Sequence, residues 1–179
     1  MTLWDETKSL PISRHMVWQA YKKVKANKGS CGVDSVSMEE FDADRGKHLY
    51  KLWNRMASGS YFPAPVKEVE ISKKDGKVRK LGIPTISDRV AQMVIKDYLE
   101  GRFEKIFSPN SYGYRPNKNA HQALVSVREN CRRHDWVIDL DIKGFFDNID
   151  HEKLMLAVEK HVKEKWIKMY IRRRNLVQI

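Results

Sequence analysis

The sequence predicts an α+β fold, rich in helix, with one β-hairpin and one central acidic strand. Three observations carry that expectation. Apolar residues recur at helical spacing in several separate segments, as in Met16, Val17, Ala20, Tyr21 and Val24. One stretch, 65–85, switches to alternation around an Asp75-Gly76 pair. A third, "WVIDLDIKGFFDNID" (136–150), begins as a buried strand yet carries Asp139, Asp141, Asp147 and Asp150.

In chain order, Ser13 is positioned to cap the first helix and Gly29 to stop it. The loop "NKGSCGVDS" (27–35) follows. Ser37 and Glu40 then form a capping box, and Phe41, Leu49, Leu52, Trp53 and Met56 predict a second helix to about Ala57. Lys67, Val69 and Ile71 alternate with polar neighbours, the chain turns at Asp75-Gly76, and Val78 and Leu81 return it. Pro84 ends the hairpin. Thr85 with Asp88 opens a long helix whose core face is Val90, Val94, Leu99, Phe103 and Phe107. Residues 108–119 are loop. A helix from Ala120 carries Leu124, Val127 and Cys131. After the acidic strand, a helix from Asp150 presents Leu154, Ala157 and Val158, and a last one Trp166, Ile167, Tyr170 and Ile171.

Composition narrows the function. With 34 Lys+Arg against 23 Asp+Glu, a net charge of +11 and a pI near 9.6, the chain points to a polyanionic partner, nucleic acid ahead of anionic membrane. Cys31 and Cys131 have no CxxC partner and read as free thiols in a reducing compartment. The six histidines show no zinc-ligand spacing. No apolar run approaches the ~20 residues of a membrane span, so a soluble, cytoplasmic protein is expected.

In a strand over 136–142, Trp136, Ile138, Leu140 and Ile142 would face one way, Asp139 and Asp141 the other, about 6–7 Å apart. Buried carboxylates need a cation, hydrogen bonds or solvent. Mg²⁺ accepts oxygen ligands and substrate phosphates together, which suits paired acids in a basic chain. An ion pair for Asp139 and helix or turn caps for Asp141, Asp147 and Asp150 are the competing explanation. Gly144 permits a sharp exit, and Phe145 and Phe146 follow it.

Four ordered stretches resemble the reverse transcriptases of bacterial group II introns, also called maturases: "NKGSCGVDSVSMEEF" (27–41), "EVEISKKDGKVRKLGIPTISDRVAQMVI" (68–95), "SPNSYGYRPNKNAHQAL" (108–124) and "WVIDLDIKGFFDNIDHEKL" (136–154). The resemblance implies reverse-transcriptase fingers with an N-terminal extension over 1–135 and the first part of a palm over 136–179. The family's Tyr-x-Asp-Asp hairpin has no counterpart, so a fragment that does not polymerise alone is expected. The resemblance implies Asp141 as catalytic and magnesium-binding, with the Ile142 carbonyl as a second oxygen and Asp139 behind them. It places Lys73 and Arg79 at the incoming triphosphate, Phe146 against a ribose 2′-OH, and Arg115 near the templating nucleotide. Implied partners are intron RNA, template RNA with primer DNA, and deoxynucleotides. Lys22, Lys23, Lys25, Lys28 and Arg172–Arg174 are candidate RNA contacts. Exposed apolar surface makes a homodimer an expectation, and a splicing factor that has lost its chemistry is the alternative.

Overall fold

The computed structural model of the chain describes residues 8–72, 76, 78–145 and 148–175. They form two compact units, one of residues 1–97 and 150–179, the other of residues 98–149.

The first unit holds the core. Its opening helix α1 (Arg14–Ala26) is capped by Ser13, whose Oγ accepts from the Met16 N–H at 3.2 Å. The predicted box at Ser37 and Glu40 forms with both bonds in place and starts α2 (Met38–Ala43). The expected single helix over 38–57 is broken. Backbone angles at Asp44 (φ −111°, ψ 26°) separate α2 from α3 (Arg45–Ala57). Asp42, Asp44 and Gly46 crowd the break, and short polar side chains and glycine favour non-helical backbone.

Strands β1 (Lys67–Ser72) and β2 (Val78–Ile83) pair antiparallel, with Val69 opposite Leu81 and Ile71 opposite Arg79. Gly76 supplies the turn with φ +76°. Helix α4 (Ile86–Phe103) follows, its residues to Asp97 in the first unit. The return segment brings α6 (His151–His161), capped by Asp150 through the Glu152 and Lys153 N–H groups, and α7 (Lys165–Asn175). Buried Trp166, Ile167 and Tyr170 hold α7 down, and the Tyr170 hydroxyl donates to the Met56 carbonyl at 2.7 Å. Trp53, fully buried, donates its indole N–H to the Ile12 carbonyl at 2.9 Å, which satisfies the polar end of a large apolar side chain.

The second unit is built differently. Its helix α5 (Ala120–Cys131) is started by an Asn119–Gln122 capping box. All described residues classed as buried belong to the first unit. Leu124, Val127 and Phe107, expected in a core, are exposed at 65%, 55% and 46%. The central acidic strand is also absent: residues 136–142 carry no strand pairing, and Trp136, Ile138 and Leu140 are 89%, 83% and 87% exposed. A strand is stabilised by a neighbour that takes its backbone hydrogen bonds and covers its apolar face. Among the described residues the only sheet is β1–β2, so this segment has neither.

Candidate functional site

Three local arrangements bear on function. The first ties the 27–35 loop to the start of α4. Arg89 donates from Nη2 to the Ser30 carbonyl at 2.7 Å and from Nη1 to the Lys28 carbonyl at 3.3 Å. Gly29 sits at φ +120°, and a Cβ there would lie 2.5 Å from Arg89 Nη1. At Gly32 a Cβ would lie 2.7 Å from the Thr85 backbone. Beneath this contact, buried Asp88 accepts from the Tyr61 hydroxyl, from Thr85 Oγ1 at 2.7 Å and from the Ala64 N–H at 3.3 Å. Burial, with the Asp88 hydrogen bond and charge adding to it, pushes the Tyr61 phenol far above its ordinary range. The Thr85–Asp88 pair thus caps α4 and also anchors the chain leading into the hairpin. Thr85 and Asp88 mark the helix start in the sequence; Arg89 and Gly32 carry no local signal, since their roles depend on contacts across more than 50 residues.

The second arrangement is the hairpin. Arg79 is exposed on β2 and, through its register with Ile71, shares a face with Val69 and Leu81. On the other face Lys80 pairs with Glu68 at 2.9 Å, and that bond raises the Lys80 pKa. Lys73, the partner expected for Arg79, lies outside the described residues, as do Phe146 and Asp147.

The third is in the second unit. Arg115 donates from Nε and Nη2 to Glu104 at 3.2 and 3.0 Å, and from Nη1 to the Ser108 and Ser111 carbonyls at 2.6 and 2.9 Å. Its guanidinium also lies 5.3 Å from the Phe107 ring centre. That side chain is only 9% exposed and fixes the shape of the 104–115 loop. Asp139, Asp141 and Ile142 stand exposed in the unpaired 136–142 segment. Gly144 turns the chain there with φ +60°, and its carbonyl accepts from the Asn148 backbone at 3.0 Å and side chain at 2.9 Å. Asp141 and Ile142 are thus adjacent in one unit with Arg115, while Arg79 belongs to the other. No group of three or more His, Cys, Asp or Glu side chains able to hold a metal occurs among the described residues. Asp141 and the Ile142 carbonyl alone supply fewer oxygens than a pair of magnesium ions takes, so further ligands would be needed to hold one.

Several expected RNA contacts have structural duties. Lys23 pairs with Asp97 and Lys25 with Asp42, both at 2.8 Å, and Arg172 with Glu159 at 2.6 Å. Arg173 donates to the Gly59 and Tyr61 carbonyls at 2.7 Å and stacks 3.9 Å over Phe62. Cys31 and Cys131 are free thiols. Among the described residues, no helix is long and apolar enough to cross a membrane.

The hairpin thus runs into a helix that is braced by a glycine-bearing loop. The chain belongs to the reverse transcriptase (RNA-dependent DNA polymerase) family, whose model matches residues 71–178. It is 34% identical over 146 residues to the group II intron-encoded protein LtrA of Lactococcus lactis, covering 81% of this chain and 24% of that protein. Protein YkfC of Escherichia coli is 36% identical over 138 residues, 74% of this chain and 36% of its own length. The nuclear intron maturase 1 of Arabidopsis thaliana is 29% identical over 120 residues, 63% of this chain and 17% of its own length. The chain therefore spans about a quarter to a third of the length of the first two.

Proposed function

We propose that this chain is the fingers and first part of the palm, divided near 135/136, of a group II intron reverse transcriptase that copies RNA into DNA and binds its intron RNA as a maturase. The observation that carries this reading is the family match across 71–178, which contains β2 of the hairpin and "DIKGFFD". Asp141 is proposed as a catalytic carboxylate toward Mg²⁺, with the Ile142 carbonyl beside it. The remaining ligands would come from outside the described residues. Arg79, exposed on β2, and Lys73 are proposed to meet the triphosphate of an incoming deoxynucleotide, where Arg can grip phosphate with two parallel bonds and Lys acts as a point charge. Phe146 is proposed to exclude a ribose 2′-OH. Arg115, its donors directed at Glu104 and two carbonyls, would act on the templating nucleotide through the shape of its loop. A cytoplasmic location is proposed along with this activity.

Primer extension on an RNA template tests the reading. Purified residues 1–179 should yield no cDNA, while the longer protein that contains this chain should yield it. Asp141→Ala in the longer protein should cut synthesis by about 10³-fold or more and leave RNA affinity within about twofold. Extension by residues 1–179 alone would overturn the fragment assignment. Undiminished synthesis by the Asp141 variant would overturn the role given to that carboxylate, and a longer protein that binds RNA without any synthesis would make this a splicing factor.

A further inference from the structure

Helix α3 buries one side and charges the other. Leu52, Trp53, Met56 and Ala57 are buried in the first unit, which fixes how the helix is turned. Lys47, Lys51 and Arg55 follow one another at four-residue steps, all exposed, so they form a single row on the solvent side. At 1.5 Å of rise per residue the row runs about 12 Å along the axis. Other cations of this unit stand against acids: Lys23 against Asp97, Lys25 and Arg45 against Asp42, and Arg172 against Glu159. Among the described residues, the side chains of Lys47, Lys51 and Arg55 make no ion pair or hydrogen bond. Arg55 acts on the Tyr61 phenol across space, opposing the rise that burial gives its pKa. No acid lies within α3 itself. Like charges four residues apart repel and destabilise a helix, so the row works against the element that carries it.

We propose that this row holds the phosphate backbone of double-stranded RNA. Three features select that ligand. Cations spread along a line call for anions spread along a line, and a nucleic-acid strand repeats its phosphates at short, regular intervals. Lys and Arg offer donors only, which suit phosphate oxygens and express no preference among bases. The row also bears no aromatic ring of the kind on which unpaired bases stack. A helix seated on its buried face is straight and cannot follow a flexible strand. An RNA duplex presents a fixed array of phosphates and is recognised by its shape rather than its base edges. Phosphates laid on the row would offset the repulsion within α3. The inference rests on the proposal that the chain binds RNA, and adds which surface does so and which form of RNA it takes.

The test uses residues 1–179 and the anisotropy of a labelled RNA duplex of about 16 base pairs, followed across a salt series. The triple variant Lys47→Gln, Lys51→Gln, Arg55→Gln should bind at least about tenfold more weakly, and its slope of log affinity against log salt should be smaller by about three. Its thermal midpoint should hold or rise, because repulsion within α3 is gone and Gln is a good helix former. Lys51→Arg, which keeps the charge, should retain affinity, and duplexes of unrelated sequence should bind alike. A second triple variant, Lys160→Gln, Lys163→Gln, Lys165→Gln, removes the same charge from exposed positions on another segment. It should bind within about twofold of the wild type at roughly 0.15 M salt, where distant charges are screened. Equal loss from the two triple variants would reduce the effect to net charge and overturn the row. Duplex binding unchanged in the first triple variant would overturn it too, with RNA binding by the chain still standing. An unpaired oligonucleotide bound in place of the duplex would also overturn the row alone. Binding of neither would remove the RNA-binding proposal with it. Polyglutamate that displaces the duplex at equal charge would overturn RNA as the ligand and make the row a surface for an acidic protein.

Discussion

Tyr21 and Asp42 join α1 to α2 through one hydroxyl and one carboxylate. The Tyr21 hydroxyl donates to Asp42 Oδ1, while Lys25 donates to Oδ2 at 2.8 Å and Arg45 stands 3.6 Å away. The bond from Lys25, then that from Tyr21, holds the Asp42 pKa down at about 2, against an ordinary 3.8. Burial first, and the Asp42 bond second, pushes Tyr21 up from 10.0 to about 12. Each shift sets its own pH window. A depressed carboxylate stabilises the fold above its unfolded pKa, and Asp42's share is lost as pH falls from about 4 to 2. A raised phenol stabilises the fold below its unfolded pKa, and Tyr21's share is lost as pH rises from 10 to 12. Tyr21→Phe keeps the ring contacts to Trp18 and Phe41 at 5.6 and 5.9 Å and removes only the hydroxyl. Urea midpoints across pH should therefore fall less steeply for the variant between 10 and 12, with Tyr61 and Tyr170, whose phenols burial also raises, supplying the remaining decline. Asp42→Asn should flatten the acid limb. Parallel curves for wild type and both variants would show that this junction does not couple to folding.

Among elements, the contact between the 27–35 loop and the start of α4 carries the sharpest prediction. Ala at Gly32 would set its Cβ 2.7 Å from the Thr85 Cα and N, and that backbone is held by the buried Asp88 network. Neither side can yield by a rotamer change, so the loop must lift, at a cost of about 1–3 kcal/mol. Gly32→Ala should lower the thermal midpoint, and proteolysis within 27–35 should quicken; an unchanged midpoint would mean that the loop is not seated on α4. This contact also marks the limit of what the residues disclose in order. The Ser13 cap, the Ser37–Glu40 box, the Asp-Gly hairpin and the α4 start were legible because each device acts over three or four residues. The break at Asp44 was not, since a helical apolar pattern runs across it. The strand expected at 136–142 is not formed for a related reason: alternation reports which faces could be buried, and pairing must come from elsewhere. Of the candidate site, the family motifs were legible, while the engagement of Arg115 with Glu104 emerged only from the folded loop.

At the scale of the whole chain, two surface properties oppose each other. A net charge of +11 makes copies repel, and an uncovered apolar run invites them to associate. Trp136, Val137, Ile138, Leu140 and Ile142 are all at least 69% exposed, with no strand alongside among the described residues to take their backbone groups. Such a segment is a template for pairing with another chain. Salt decides which property prevails, because the screening length falls from about 10 Å at 0.1 M to about 3 Å at 1 M while apolar burial persists. We therefore expect residues 1–179 to remain dispersed at low ionic strength and to form dimers or larger species as salt rises, seen by sedimentation velocity. Replacing Ile138 and Leu140 with lysine should abolish that rise, since it interrupts the apolar run and adds charge where two copies would meet. Association that weakens with salt would point instead to ion pairing between copies. Association that survives the double substitution would place the contact on another face of the molecule.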